Sequence, residues 1–260
     1  VMLGAVWQTG IAASSLVSND GVIQLMVCTG LSSGLVMLGT QYWGKKDIES
    51  IKTLIGIALR IVLVVGLIFG LSAIFIPELL MKLFTNEEQL ITTGCMYLRA
   101  VGISYIFFSI SQMLQAGFKS IERVKIVTIS STSTLFLNIG LNAVFIFGLF
   151  GMPKLGIMGV GIATSISRFV EFVFCLIYAY KQKDMNFSLS VILRKSKILT
   201  RDFLKYSLPA LGNELVWGSA FSVYSAILGH LGEDIVAANS VVGIVRNLST
   251  VLCFGFAYGG

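Results

Sequence analysis

The chain has 260 residues, of which 55% are hydrophobic and 12% are charged, and its formal net charge is +6. Soluble domains average about 45–50% apolar and about 25% charged residues, so this composition excludes an ordinary water-soluble fold and makes lipid the expected solvent. The basic residues lie between apolar stretches and form no single patch, which indicates membrane orientation and argues against a nucleic-acid partner.

Seven apolar stretches are long enough to cross a bilayer, which takes about 20 residues at the helical rise. In chain order they are 11–42, 53–76, 91–117, 124–150, 156–180, 204–229 and 235–260. They predict an all-α fold class, a polytopic transmembrane helix bundle with seven spans. Glycine and serine recur within several spans, as in the GLSSG run at 30–34, and such small residues let helices approach closely in lipid.

The loops between the spans differ sharply in basic residues. Thirteen lysines and arginines lie in or beside the loops at 43–52, 118–125 and 181–203, and the alternate loops hold only Lys82 and Lys154. Basic loops stay on the cytoplasmic side, so we expect a multi-pass protein of the plasma (inner) membrane with these three loops cytoplasmic.

Residues 1–34 recur at 226–259, because a shift of 225 positions matches nine of the 34 residues. The two copies are six crossings apart and point the same way, which predicts a parallel repeat with two pseudo-symmetric lobes. We expect a first lobe at 1–180 without its first helix, a cytoplasmic linker at 181–202, and the truncated start of a second lobe at 203–260. A period of 225 taken twice implies a parent of about 450 residues.

Four motifs resemble the multidrug and toxic compound extrusion (MATE) family. They are GTQYWGKKD at 39–47, LNIGLN at 137–142, GIMGVGIATS at 156–165, and the Leu208-Pro209 pair with GHLG at 229–232 and VAAN at 236–239. The resemblance runs from helix two to helix eight of a twelve-helix fold. It implies an antiporter that exports amphipathic, often cationic organic compounds with a sodium or proton gradient.

Ionisable residues inside a span are costly and are therefore functional candidates. Asp20 is a candidate for ion coupling or for the substrate cavity, and the alternative is a buried partner for Arg246 or Arg99. Glu214 follows Pro209 and is a candidate cation or proton site, or else a helix-end acid near the cytoplasmic headgroups. An Asp20–Arg246 pair between the lobes is a further hypothesis.

Glu171, a third acid inside a span, follows Arg168 at i+3, a spacing that predicts an ion pair within one helix.

Asn138 and Asn142 are spaced i, i+4 and so face one side of the fifth helix of the family's fold. With Thr164 they match three positions of a polar cluster that, in some MATE family members, binds sodium or takes up the proton. Residue 142 is Asn where that cluster has Asp, so this position has no titratable group to take up a proton. The alternative role for the three residues is interhelical hydrogen bonding.

Four further residues are candidates for the substrate cavity: Gln24, Gln112, Trp217 and Tyr224. The glutamines, with Gln115, fit interhelical hydrogen bonding equally well, and the aromatics could stack on planar cations or face lipid. Four single cysteines without CxxC spacing read as small packing residues.

No Ser/His/Asp set, metal cluster or phosphate loop can be assembled from the sequence, which argues against an enzyme and against any cofactor beyond Na+ or H+ as the coupling ion. The expected partners are a small organic substrate and the lipid bilayer, with the protein a monomer. The rival functions are a lipid-linked oligosaccharide flippase, for which a cavity rich in basic residues is expected, and a passive channel.

Overall fold

The computed structural model describes residues 8–82, 88–151, 155–182, 194 and 196–230, with side chains at 21–82, 88, 91–149, 151, 155–182, 194 and 196–220. Every long element in these ranges is an α-helix. In chain order they are α1 (Gln8–Gly44), α2 (Ile48–Phe75), the short α3 (Pro77–Lys82), α4 (Glu88–Ser120), α5 (Val124–Phe147), α6 (Gly156–Lys181) and α7 (Lys197–His230), with one 3-10 turn at Leu149–Gly151.

Five of these helices are long and apolar enough to cross a membrane. Their spans are Gly21–Gly44, Ile48–Phe75, Ile91–Ser120, Val124–Phe147 and Gly156–Lys181, each of 24 to 30 residues. They confirm the first five predicted spans and the helical fold class. The sixth predicted span lies within α7, while the seventh span, Cys253, residues 1–7 of the first copy of the repeat and residues 231–259 of the second copy lie outside the described residues.

The chain divides into two compact units, Val1–Glu214 and Leu215–Gly260. The division falls inside α7, and α7 itself begins at Lys197, within the stretch expected to be a linker. In the second unit the structure describes only the end of α7. The lobe boundaries at 180 and 203 therefore stay a prediction.

Helix α4 is the centre of the first unit, because it packs against α1, α2 and α6, and α5 packs in turn against α6. The main apolar core lies between α1, α2 and α4, and Phe118 and Phe203 are its largest fully buried side chains. Phe203 belongs to the first turns of α7. The start of α7 is thus anchored in the core of the first unit.

Two glycines of α1 let α7 approach closely. A Cβ atom on Gly34 would lie 2.0 Å from Ser207 Oγ and 2.8 Å from Ser207 Cα, and one on Gly30 would lie 2.5 Å from Leu211 Cα. These glycines begin and end the GLSSG run, so the predicted role of small residues in close helix packing is confirmed at this contact.

The aspartate that closes the GTQYWGKKD motif caps α2. Asp47 Oδ1 accepts from the Ser50 backbone N–H at 3.1 Å, and Oδ2 accepts from the Ser50 hydroxyl at 2.6 Å. These hydrogen bonds hold the pKa of the Asp47 carboxyl below its usual value. Asp47 therefore has a structural role at the start of a spanning helix.

Replacing Gly34 with alanine should destabilise the bundle, because the new methyl group would meet the Ser207 backbone. Overpacking of this kind costs about 1–3 kcal/mol, and it should appear as a lower free energy of unfolding in mixed micelles. The matched control is Gly140→Ala on α5, where an added Cβ meets nothing within 4 Å. Equal stabilities of the two variants would contradict the proposed contact.

Candidate functional site

The first unit contains a partly open cavity of about 530 Å³. Four helices wall it, α1, α4, α5 and α6, and its lining mixes hydroxyl, amide, aromatic and charged side chains. The lining residues are Gly21, Val22, Gln24, Leu25, Tyr97, Val101, Ser104, Tyr105, Phe108, Gln112, Gln115, Ser131, Thr134, Leu135, Asn138, Thr164, Ser167, Arg168 and Glu171.

Helical periodicity brings the polar residues of α6 to this cavity. Thr164, Arg168 and Glu171 are spaced i, i+4 and i+7, so they lie on one face of the helix over about 10 Å of its length. Two polar clusters form along this face, and each includes partners from a neighbouring helix.

The first, which we call the asparagine cluster, comprises Asn138, Asn142 and Thr164. Asn142 Nδ2 donates to Asn138 Oδ1 at 2.9 Å, and Asn138 Nδ2 lies 3.5 Å from Thr164 Oγ1. The structure thus brings the three predicted residues together across α5 and α6. Asn142 Oδ1 is buried and accepts no hydrogen bond from any described residue.

The second, the arginine–glutamate cluster, comprises Gln115, Arg168 and Glu171. Arg168 Nη1 donates to Glu171 Oε2 at 2.9 Å, which confirms the predicted ion pair, and Gln115 Nε2 donates to Glu171 Oε1 at 2.9 Å. The Glu171 side chain is 4% exposed and that of Arg168 is 36% exposed. The guanidinium of Arg168 also lies 4.5 Å from the Phe108 ring centroid. Since Arg168 is the more exposed member of the pair, it presents more charged surface to the cavity than Glu171 does.

Gln24 has a structural hydrogen-bonding role at the edge of the same cavity. Its Nε2 donates to the Tyr105 carbonyl and to Ser109 Oγ, both at 2.8 Å, and it is 1% exposed. It thereby joins α1 to α4. Gln24 and Gln112 both line the cavity, and a role for either in binding substrate stays a prediction.

Of the remaining candidates in the first unit, the structure describes only the side chain of Glu214, and it does not line this cavity. Glu214 lies on α7 at the end of the first unit and is not among the lining residues, and Trp217 belongs to the second unit. The side chains of Asp20 and Tyr224, and all of Arg246, lie outside the described residues, so the Asp20–Arg246 hypothesis stays untested.

No motif in the sequence marks several residues that line the cavity, notably Tyr97 and Ser104. The i, i+4, i+7 spacing of Thr164, Arg168 and Glu171 was the available signal that the ion pair faces the same way as the asparagine cluster.

Within the described residues, no group of three His, Cys, Asp or Glu side chains could hold a metal ion. Cys28, Cys95 and Cys175 are buried free thiols.

With this geometry established, comparison with known proteins identifies the family. The family model described as MatE matches residues 1–144, more than half of the chain. The chain belongs to the MatE family. It is accordingly a multi-pass membrane protein, as its spans predict, while the sidedness of its loops stays a prediction.

Among curated relatives of this MatE chain, "Probable multidrug resistance protein YoeA" of Bacillus subtilis is 28% identical over 84% of the chain and 48% of its own length. "Multidrug resistance protein NorM" of Vibrio parahaemolyticus is 28% identical over 93% of the chain and 53% of its own length. The chain therefore spans about half the length of the curated relatives it matches.

Solved structures of MatE-type transporters share the fold. One described as "Crystal structure of MATE in the bent conformation" matches with a TM-score of 0.87 at 18% identity, over 99% of this chain and 57% of the other. A MOP superfamily transporter from Pyrococcus furiosus, described by a reverse polarity of its binding pocket, matches with a TM-score of 0.85 at 17% identity, over 99% and 56%. At these identities the likeness concerns the fold alone.

Replacing Arg168 with methionine should destabilise the protein, because Glu171 would keep a buried charge without its partner. The expected loss is roughly 2–4 kcal/mol in the free energy of unfolding. The double variant Arg168→Met/Glu171→Gln should recover most of that loss, since the new amide oxygen still accepts from Gln115. A double variant as unstable as the single one would show that charge pairing is not the cause.

Proposed function

We propose that the whole protein is a secondary active antiporter that exports amphipathic or cationic organic compounds in exchange for Na+ or H+. Family membership and the multidrug resistance names of the relatives support this assignment. The proposal concerns the whole protein, because the chain covers about half of those relatives. A transporter role also fits the sequence, which offers no catalytic set.

The cavity has the properties expected for binding a small organic compound. Its volume lies within the 300–1,000 Å³ typical of ligand pockets, and its wall combines apolar and aromatic side chains with a few polar groups. The rings of Tyr97, Tyr105 and Phe108 offer apolar surface for a planar compound. The Arg168–Glu171 pair is neutral overall, so the described wall does not repel a cation as a free arginine would.

The observation that carries the coupling proposal is the buried Asn142 Oδ1. It has no hydrogen-bond donor among the described residues, although a buried polar atom is costly unless it is satisfied. Amide and hydroxyl oxygens are suitable ligands for a hard cation, and Asn138 Oδ1 and Thr164 Oγ1 lie in the same cluster. These residues fit Na+, and because none of them titrates, they favour Na+ over H+ at this position.

Ion binding would act on transport through differential affinity. A cation held at the asparagine cluster stabilises one arrangement of α5 and α6, and the same helices wall the substrate cavity. If that arrangement binds the organic compound more weakly, ion entry drives its release. Asp20 and Glu214 remain candidates for further coupling sites.

The flippase alternative is less well supported by this cavity. A lipid-linked pyrophosphate calls for several unpaired bases, whereas the described lining holds Arg168 alone and that arginine is paired with Glu171. The passive channel has no specific observation in its favour.

The test is dye efflux from vesicles that contain the full-length protein under an imposed sodium gradient. Asn142→Leu should require about tenfold more Na+ for half-maximal efflux, because one oxygen ligand is lost at a cost on the order of 1–2 kcal/mol. The matched control is Thr132→Leu, an exposed position on the same helix that does not line the cavity. Unchanged sodium dependence in Asn142→Leu would contradict the coupling role.

A second variant separates the two ions. Asn142→Asp restores a titratable group at the cluster, so efflux should gain dependence on a pH gradient that the wild-type residue cannot supply at this position. If the wild-type protein already responds to a proton gradient alone, as strongly as Asn142→Asp does, the proposed preference for sodium at this cluster is wrong.

A further inference from the structure

A second cavity, of about 920 Å³ and open along one side, lies between α2 and the first turns of α7. Each helix contributes one face to it, at the 3–4 residue spacing of a helical stripe. We call it the basic groove, lined by Ile57, Arg60, Ile61, Val64, Ser196, Lys197, Thr200, Arg201, Leu204, Lys205 and Leu208.

Four bases line the groove, and none of the lining residues is acidic. Lys197, Arg201 and Lys205 are exposed, and Arg60 is half-buried. None of the four pairs with a carboxylate in the described part of the chain. The lining residues of the groove therefore carry positive charge only.

Arg60 is held in place by bonds that leave donors free. Its Nε donates to the Gly56 carbonyl at 3.3 Å, and its Nη2 donates to the Arg194 carbonyl at 2.8 Å. Arg194 is itself fixed by an ion pair with Glu49. A guanidinium has five N–H donors, so Arg60 keeps a pre-oriented set for an anion in the groove.

The N-terminus of α7 adds to the positive charge of the basic groove. Ser196 caps the helix, because its Oγ accepts from the Leu199 backbone N–H at 3.3 Å, and the positive end of the helix dipole therefore lies beside Lys197. The bases on α7 project from an ordered helix that Phe203, fully buried in the core, holds against the first unit.

The remainder of the groove is apolar. Ile57, Ile61 and Val64 form its wall on α2, while Leu204 and Leu208 form the wall on α7. Val64 lies about 6 Å along its helix beyond Arg60, and Leu208 lies about 10 Å beyond Arg201. Both α2 and α7 follow loops predicted to be cytoplasmic, so Arg60, Lys197 and Arg201 lie nearer the cytoplasm than Val64 and Leu208.

We propose that the basic groove binds one anionic phospholipid of the cytoplasmic leaflet. The headgroup phosphate lies among Arg60, Lys197 and Arg201, and an acyl chain follows Val64 and Leu208 into the bilayer. Charge complementarity selects the phosphate, and the apolar wall selects a lipid over a soluble anion. The inference does not depend on the transported compound or the coupling ion.

The test measures lipids retained by the full-length protein in native mass spectrometry, with phosphatidylglycerol and phosphatidylcholine offered in competition. The wild-type protein should prefer phosphatidylglycerol. Lys197→Gln/Arg201→Gln should reduce that preference about fivefold for each base, or about 25-fold together, because a base near an anionic surface contributes about that factor. Neither side chain makes a hydrogen bond or ion pair to a described residue, so folding should be retained.

Two further variants separate a specific site from a general attraction. Lys45→Gln/Lys125→Gln removes the same charge from exposed positions in other loops predicted to be cytoplasmic, and it should leave the preference within about twofold of wild type. Val64→Trp/Leu208→Trp fills the apolar part without changing charge, and it should weaken retention of both lipids.

Three results would overturn the proposal. The wild-type protein could show no preference for phosphatidylglycerol, or the control pair could lose as much preference as the groove pair, which indicates diffuse attraction. The third is displacement of phosphatidylglycerol by millimolar inorganic phosphate, which would make the groove a site for the soluble anion. Since no gradient is applied, none of these results bears on whether the protein is an antiporter.

Discussion

Polar groups inside a membrane-spanning bundle must find partners within the protein, because hydrocarbon offers none. Gln24 satisfies this requirement by joining α1 to α4, and Glu171 does so through Arg168 and Gln115. Each bond removes a desolvation cost and also fixes the orientation of a cavity wall. The hydrogen bonds that offset the cost of burying polar side chains therefore also fix the shape of the cavity. Asn142 Oδ1, by contrast, is a buried oxygen without a hydrogen-bond donor among the described residues.

Small residues allow α4 to pack closely against its neighbouring helices. A Cβ on Gly102 would lie 2.7 Å from an Ile74 side-chain atom of α2, and a Cβ on Gly161 would lie 2.7 Å from the Ala100 Cβ. At that second contact Ser165 Oγ donates to the Ala100 carbonyl at 2.7 Å. Close backbone approach replaces the hydrophobic drive that is missing between helices in lipid. It also brings the polar face of α6 near enough for Glu171 to reach Gln115 on α4.

The sequence predicted those features that depend on local periodicity. The first five spans followed from apolar length, the Arg168–Glu171 pair followed from i+3 spacing, and the shared face of Asn138 and Asn142 followed from i+4 spacing. In each case residues close in the chain are close in space.

Features that depend on long-range contacts could not be predicted in this way. Gln115 and Glu171 are 56 positions apart, and Gln24 and Ser109 are 85 apart, so only tertiary packing pairs them. At the start of α7 the sequence shows a run of basic residues, whereas the complete burial of Phe203 and Ser207 on the other side of the helix depends on tertiary packing. A helix with one basic face and one buried face looks locally like a solvated segment.

Helix α7, with its basic face and its buried face, contributes both to the orientation of the chain in the membrane and to its packing. Loop lysines and arginines set topology because they resist transfer across the membrane, and a flexible segment would meet that requirement equally well. Here, however, the buried side of α7 anchors the backbone of Lys197, Arg201 and Lys205 beside Arg60 of α2. Bases on an anchored backbone lose less conformational entropy when an anion binds than bases on a flexible segment, so this arrangement favours recognition of one headgroup over attraction to a charged surface.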